Sequence, residues 1–113
     1  MRDDYDPVQT VAVNLTRLME HERDRKRTYW TAEAVGKKAE IGHGTVDRVA
    51  KGQTRVNIAN LQAIAAVFGL RAWQLLVPDM EPDNPPVLKM PSEAERQWYS
   101  QLQELISKRP PDA

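Results

Sequence analysis

Residues 31–52, TAEAVGKKAEIGHGTVDRVAKG, constrain this chain more than any other stretch, because they permit little but two short helices joined by a tight turn. Thr31 is a good N-cap, since its hydroxyl accepts from a free amide of the first turn. Trp30 and Val35 stand at the spacing of a hydrophobic staple, and Val35 shares a face with Ala39. The segment Glu40-Ile41-Gly42 interrupts the helix, with Gly42 expected to adopt backbone angles that other residues resist. A second helix is predicted over residues 43–50, ended by Gly52. Val46 and Val49, three apart, point inward. His43, Gly44, Asp47, Arg48 and Lys51 are left outside. A short helix with a polar, partly basic outer face, propped by another across a tight turn, has the form of a recognition helix.

The charge distribution agrees. The whole chain of 113 residues is neutral, with 16 Lys and Arg against 16 Asp and Glu, which argues against a general polyanion binder. Residues 14–55, however, hold ten Lys and Arg against six Asp and Glu, a net +4, whereas residues 78–113 carry −3. The positive charge gathers around the two-helix stretch, as a DNA-facing surface requires. There is no cysteine, hence no disulfide framework and no thiolate metal site. The opening RDDYDP lacks the basic start and apolar run of a signal peptide, and no apolar run approaches the ~20 residues of a membrane span. The expectation is a cytoplasmic chain with no membrane contact.

Around this stretch the chain reads as further helices. Asp6-Pro7 is a strong helix start, with Gln9 at capping-box spacing. Val8, Val11, Leu15 and Leu18 form one apolar face, predicting a helix to about Arg23. The segment EHERDRKRT that follows has no apolar residue. It reads either as a solvated helix extension and polar loop, or as a basic loop touching the DNA backbone through Arg23, Arg25, Lys26 and Arg27. The interleaved Glu20, Glu22 and Asp24 favour the first, by pairing with the cations. After Gly52, Asn57 caps a helix whose stripe is Ile58, Leu61, Ile64, Ala65 and Phe68, closed by Gly69. A short fifth helix follows, with Leu70, Trp73, Leu75 and Leu76. Residues 78–91 contain five prolines and read as a stiff linker or strap, with Val87, Leu88 and Met90 available to pin it to the core. Ser92 and Glu95 make a capping box for a sixth helix over residues 92–109, with Lys108 and Arg109 in its last turn and Pro110-Pro111 ending it. Its apolar face is Trp98, Leu102, Leu105 and Ile106.

The two-helix stretch resembles the helix-turn-helix of the lambda-repressor-like family, which includes Cro and the phage repressors and is also called the XRE family. Thr31, Glu33, Val35, Lys38, Ala39, Ile41, Thr45, Val46, Arg48, Val49 and Gly52 stand in register with the family pattern. Ala32, Gly36, Glu40 and Gly42 depart from its usual Gln, Ala, Gly and Ser. Downstream, Ile58, Leu61, Ile64, Ala65, Val67, Phe68, Gly69, Leu70, Leu75 and Leu76 continue the match, while Arg71 replaces a Ser or Thr cap. The resemblance covers about residues 12–77. It implies an all-α fold, with a five-helix lambda-repressor-like DNA-binding domain over residues 7–77; the strap at 78–91 and the additional C-terminal helix are read from the residues alone, and the family's basic domain does not include that helix.

The resemblance further implies that His43, Gly44, Asp47 and Arg48 meet base edges. Arg48 is suited to guanine O6 and N7 together, or alternatively to a phosphate. Asp47, repelled by phosphates, either accepts from cytosine or orients Arg48 or Lys51. Thr31, Ala32, Thr45, Lys51, Gln53, Thr54 and Arg55 fall where the family meets the sugar-phosphate backbone. Catalysis has no support: His21 and His43 lack ligand-spaced partners, neither Ser92 nor Ser100 lies in a nucleophile elbow, and no cofactor or metal is expected. Trp30, Trp73 and Trp98 read as core or interface residues, and Met19, Met80 and Met90 as packing or linker residues. The expected function is a sequence-specific double-stranded-DNA-binding transcriptional regulator of phage or bacterial repressor type. It would act as a homodimer on an inverted repeat, with Trp98, Leu102, Leu105 and Ile106 as the dimer interface. The alternative is an antitoxin-like or adaptor module whose C-terminal helix binds another protein. Operator sequence, repression versus activation, and effector are not legible.

Overall fold

Helix α1, Pro7–Asp24, begins where the Asp6 carboxylate accepts from the amides of Val8 and Gln9, with Pro7 in the first turn. The computed structural model to which it belongs describes residues 4–87 and 93–108. Thr31 caps α2, Ala32–Ala39, by accepting from Ala34 N at 3.1 Å, and α3 follows at His43–Ala50. Asn57 caps α4, Ile58–Val67, through Asn60 N at 2.7 Å. A single turn, α5, spans Ala72–Leu75, and α6 spans Glu93–Ser107. No strand occurs among the described residues, and one isolated bridge joins Glu81 to Asn84.

The core forms because each short helix has one apolar stripe and no other way to bury it. Val11, Leu15 and Leu18 of α1 meet Val35 of α2, Val46 and Val49 of α3, Leu61, Ile64 and Ala65 of α4, and Leu75 of α5. Helix α2 packs on α3 and α4, and α1 packs on α3 and α5. The fold is all-α, as expected. The buried Asn14 of α1 donates through Nδ2 to the carbonyls of Leu75 and Val77, each at 2.8 Å, and so fastens the C-terminal end of α5. Arg71 cannot cap α5 as a Ser would. Gln74 Oε1 accepts from Arg71 N at 2.8 Å, and Gln62 Oε1 from Ala72 N at 2.9 Å, supplying the missing acceptors from elsewhere.

The described part of the strap, residues 78–87, is pinned by residues other than Val87. Val87 is 80% exposed, and Leu88 and Met90 lie outside the described residues. Met80, instead, is fully buried in the core. Asp83 bonds His21 Nε2 at 2.7 Å and Arg25 at 3.3 Å, and Gln74 Nε2 donates to the Pro86 carbonyl. Ile58, expected in the inward stripe of α4, is 81% exposed, because it is the first helical residue and Val56 covers the core beside it. Gln9 does not close a capping box; its side chain reaches α3. The capping box of α6 rests on Ser92, and its predicted end on Arg109, Pro110 and Pro111, all outside the described residues. No α6 residue whose burial is described joins the core, and Trp98, Leu102, Leu105 and Ile106 are exposed. The radius of gyration is 18.2 Å, against about 13 Å for a packed chain of this length, so the molecule is elongated.

Candidate nucleic-acid interface

The position of α3 is fixed at both ends by contacts far apart in sequence. At its C-terminal end Gly52 takes φ +70°, and Gln9 Nε2 donates to its carbonyl at 3.1 Å. Thr16 Oγ1 donates to the Ala50 carbonyl at 3.1 Å. Two polar side chains of α1 thus satisfy carbonyls at the end of α3 that no helix can satisfy internally. Nothing in the local sequence signals either bond.

At its N-terminal end the turn is tighter than the sequence suggests. Glu40 takes the left-handed conformation, φ 60° and ψ 42°, and the amides of Glu40 and Ile41 both bond the Gly36 carbonyl. Gly42, which was expected to supply the unusual angles, has an ordinary φ of −57°, and a side chain there would meet nothing. The glycine the turn does require is Gly36. A Cβ at that position would lie 2.6 Å from the Ile41 carbonyl oxygen and 3.2 Å from the backbone of His43. The turn folds back onto α2, and only a residue without a side chain leaves room.

With Val46 and Val49 buried, the opposite face of α3 is what remains outside. His43, Arg48 and Lys51 are exposed; Gly44, Thr45 and Asp47 are half-buried. Asp47 Oδ2 pairs with Lys51 Nζ at 2.9 Å, one turn on, and not with Arg48. Arg48 Nη2 makes only a long 3.4 Å bond to Thr45 Oγ1. Its guanidinium lies over Gly44, where a Cβ would stand 3.3 Å from Nη1. Gly44 therefore gives the Arg48 side chain space to fold along the helix surface. Beyond α3, Gln53 and Arg55 are exposed and Thr54 is half-buried. The Gln53 amide bonds the Arg48 carbonyl at 2.9 Å, which holds this loop against the helix end. At the other end of the motif the Thr31 hydroxyl is occupied as the cap of α2, while the first-turn amides of Ala32 and Glu33 lack an intrahelical acceptor.

The segment after α1 carries fewer available cations than its sequence suggests. Arg27 Nε pairs with Glu22 at 2.8 Å, and Glu22 also accepts from Tyr29 N at 3.3 Å. Arg25 pairs with Asp83 of the strap, and Arg23 contacts Asp24 at 3.9 Å. An Arg27 Nη2 hydrogen bond at 3.0 Å meets His21 Nδ1. Since arginine can only donate, Nδ1 accepts and the Nε2 proton goes to Asp83. That hydrogen bond, with the nearby charges of Arg25 and Arg27, holds the Asp83 carboxyl below its ordinary value of 3.8. Lys26 has no ion pair among the described residues. Trp30, expected in the core or an interface, is 48% exposed; Tyr29 takes the inward position against the core instead. Trp73 is half-buried and Trp98 exposed. Among the described residues no group of His, Asp and Glu could hold a metal ion, and no helix is long and apolar enough to cross a membrane.

A scan against protein-family models finds no match, and no curated protein matches the chain in sequence. Solved structures do match. One is a repressor from a Salmonella-temperate phage, with a TM-score of 0.61 and 18% identity over 90% of this chain and 99% of that one. The likeness shows that this chain has a repressor-like fold.

Proposed function

We propose, on the premise of that repressor-like fold, that this chain is a sequence-specific transcriptional regulator that binds duplex DNA. It is of the helix-turn-helix kind found in the lambda-repressor-like family, with α3 in the major groove. The observation that carries the reading is the division of α3. Its apolar side is locked into the core by Val46 and Val49, its two ends are fixed by α1 and by the turn at Gly36, and its free side offers His43, Gly44, Asp47 and Arg48. Rigid support on one side and hydrogen-bonding groups on the other is what base reading requires. Arg48 carries most of the specificity, because its guanidinium is the cation of this face not taken by a carboxylate. Thr31, Ala32, Thr45, Lys51, Gln53, Thr54 and Arg55 fix the position through phosphates. The protein acts as a homodimer on an inverted repeat, joined through Trp98, Leu102, Leu105 and Ile106.

Selection of sites from random duplex DNA at about 0.15 M salt tests this, since nonspecific contacts are partly screened there. An inverted repeat with half-sites about one helical turn apart supports the reading. No enrichment refutes it. Arg48→Ala is expected to flatten the preference at one base pair of each half-site, at a cost of about 1–3 kcal/mol.

A second reading has its own support. The exposed apolar residues of α6 suit a protein-interaction module of the antitoxin or adaptor kind. Arg48→Ala leaves partner binding intact under that reading, whereas Trp98→Ala abolishes it.

A further inference from the structure

The outer side of α1 carries a cleft of about 440 Å³ to which the DNA reading gives no role. It lies between the segment before α1, the face of α1 that holds Thr10 and Val13, and the start of the strap. One wall exists because the Tyr5 hydroxyl donates to the Leu76 carbonyl at 2.6 Å, which draws the N-terminal segment across the end of α5. Asn14 lies in the floor, without exposed surface. Its Nδ2 protons go to the carbonyls of Leu75 and Val77, and its Oδ1 has no hydrogen-bond partner. Among the described residues it is the one buried side-chain polar atom in that state. Folded chains pair nearly all their buried polar groups, so an orphaned acceptor marks a place where a donor belongs. The charges around it ask for the same thing. Asp4, Asp6 and Asp79 line the cleft, and no described lining residue is Lys or Arg. Arg17 reaches Asp79 only at 3.9 Å, the outer limit of an ion pair.

We propose that this cleft binds a small organic cation: an amine, amidinium or guanidinium carried on a flat apolar body. The proposal stands apart from the DNA reading, and neither depends on the other. Two independent features, the orphaned Asn14 acceptor and the excess of carboxylates, both require a ligand rich in N–H donors and positive charge. An anion of the same size meets three like charges instead. A metal ion is not the occupant, because no group of His, Asp and Glu among the described residues could hold one. The apolar body is accounted for by Tyr5 and Val13, 43% and 47% exposed, and by Pro78 beside them. With its hydroxyl held by Leu76, the Tyr5 ring also offers its face to a cation. The volume falls within the roughly 300–1,000 Å³ of small-molecule sites. Gln9 lines the cleft as well, and its Nε2 holds the Gly52 carbonyl. An occupant is thus one side chain away from the end of α3.

Titration of the isotope-labelled full chain with benzamidine, followed by NMR, tests this, with benzoate as the anion of the same shape and equal ionic strength throughout. Benzamidine is expected to shift the signals of Thr10, Val13, Asp79 and the Asn14 side-chain amide, and to saturate with a dissociation constant of about 1–10 mM, as suits a fragment of its size. Benzoate leaves the same signals in place. Val13→Arg, which sets a guanidinium at the mouth of the cleft, is expected to abolish the saturable shifts. Asp79→Asn weakens binding by about two- to fivefold, the worth of one exposed charge pair. Both positions are exposed, so the melting temperatures, measured in parallel, stay at the wild-type value. The proposal is overturned if benzamidine and benzoate shift these signals alike, if the shifts grow without saturating, or if neither variant weakens binding.

Discussion

Glu40 in the turn between α2 and α3, and Gly36 of α2 against which that turn folds, respond to substitution in opposite ways. Glu40 occupies a left-handed position that costs an L-residue about 1–2 kcal/mol. Glu40→Gly removes that cost but adds about 0.4–1 kcal/mol of unfolded-chain entropy. Urea unfolding is therefore expected to show a net gain of roughly 0.5–1 kcal/mol; a loss of stability would mean that the Glu40 side chain makes a contact that outweighs the strain. Gly36 is the opposite case. Gly36→Ala sets a methyl 2.6 Å from the Ile41 oxygen, a backbone atom that cannot swing aside. The variant is expected to lose about 1–3 kcal/mol, as overpacked sites do, and, under the proposed function, to weaken DNA binding further by tilting α3. Gly42, with open space around it, tolerates Ser with a change of only a few tenths of a kcal/mol. The same measurement on these three variants thus separates strain, crowding and indifference.

At the scale of elements, the strap over residues 78–87 is held by one buried contact and one exposed cluster, and these differ in worth. Met80→Ala opens a cavity in the core and is expected to cost about 2–5 kcal/mol. Asp83, on the surface between His21 and Arg25, contributes far less at neutral pH. Its signature is the pH dependence. The folded-state pKa lies below the ordinary 3.8, so the contribution is present above that value and is lost as the pH falls through the folded pKa. The stability difference between wild type and Asp83→Asn is expected to be positive near pH 6 and to shrink towards zero below about pH 4. A constant difference across that range would show that the carboxylate is not what holds the strap there.

For the whole molecule the open question is what covers α6. Fifteen residues of helix are marginal alone in water, and Trp98, Leu102, Leu105 and Ile106 repeat on one face without joining the core. Under the proposed dimer, a second copy of the helix covers that face and brings two α3 helices together, the arrangement that an inverted repeat would require. Sedimentation equilibrium of Leu105→Ser/Ile106→Ser is expected to show the dimer weakened by at least about a hundredfold, given the apolar burial removed from both protomers. The melting temperature of the domain should hardly move, since neither residue lies in its core. A dimer of undiminished strength would put the interface elsewhere and favour the adaptor reading for α6.

The sequence by itself determined where the helices lie. Asp6, Thr31 and Asn57 announce three helix starts, Gly52 and Gly69 two ends, and the apolar spacing within each helix chose most of its inward face. These are local effects, set by hydrogen bonds and side-chain directions within a few residues. The inward and outward sides of α3 were legible for the same reason. What only the tertiary structure decided depends on atoms distant along the chain. It gave Gln9 and Thr16 to the end of α3 and Gln62 to the start of α5. It buried Met80 rather than Val87, and packed Tyr29 rather than Trp30 against the core. It moved the unusual backbone angles from Gly42 to Glu40. In each case several residues of the right chemistry stood within reach, and the close packing of one helix on another left space for only one of them.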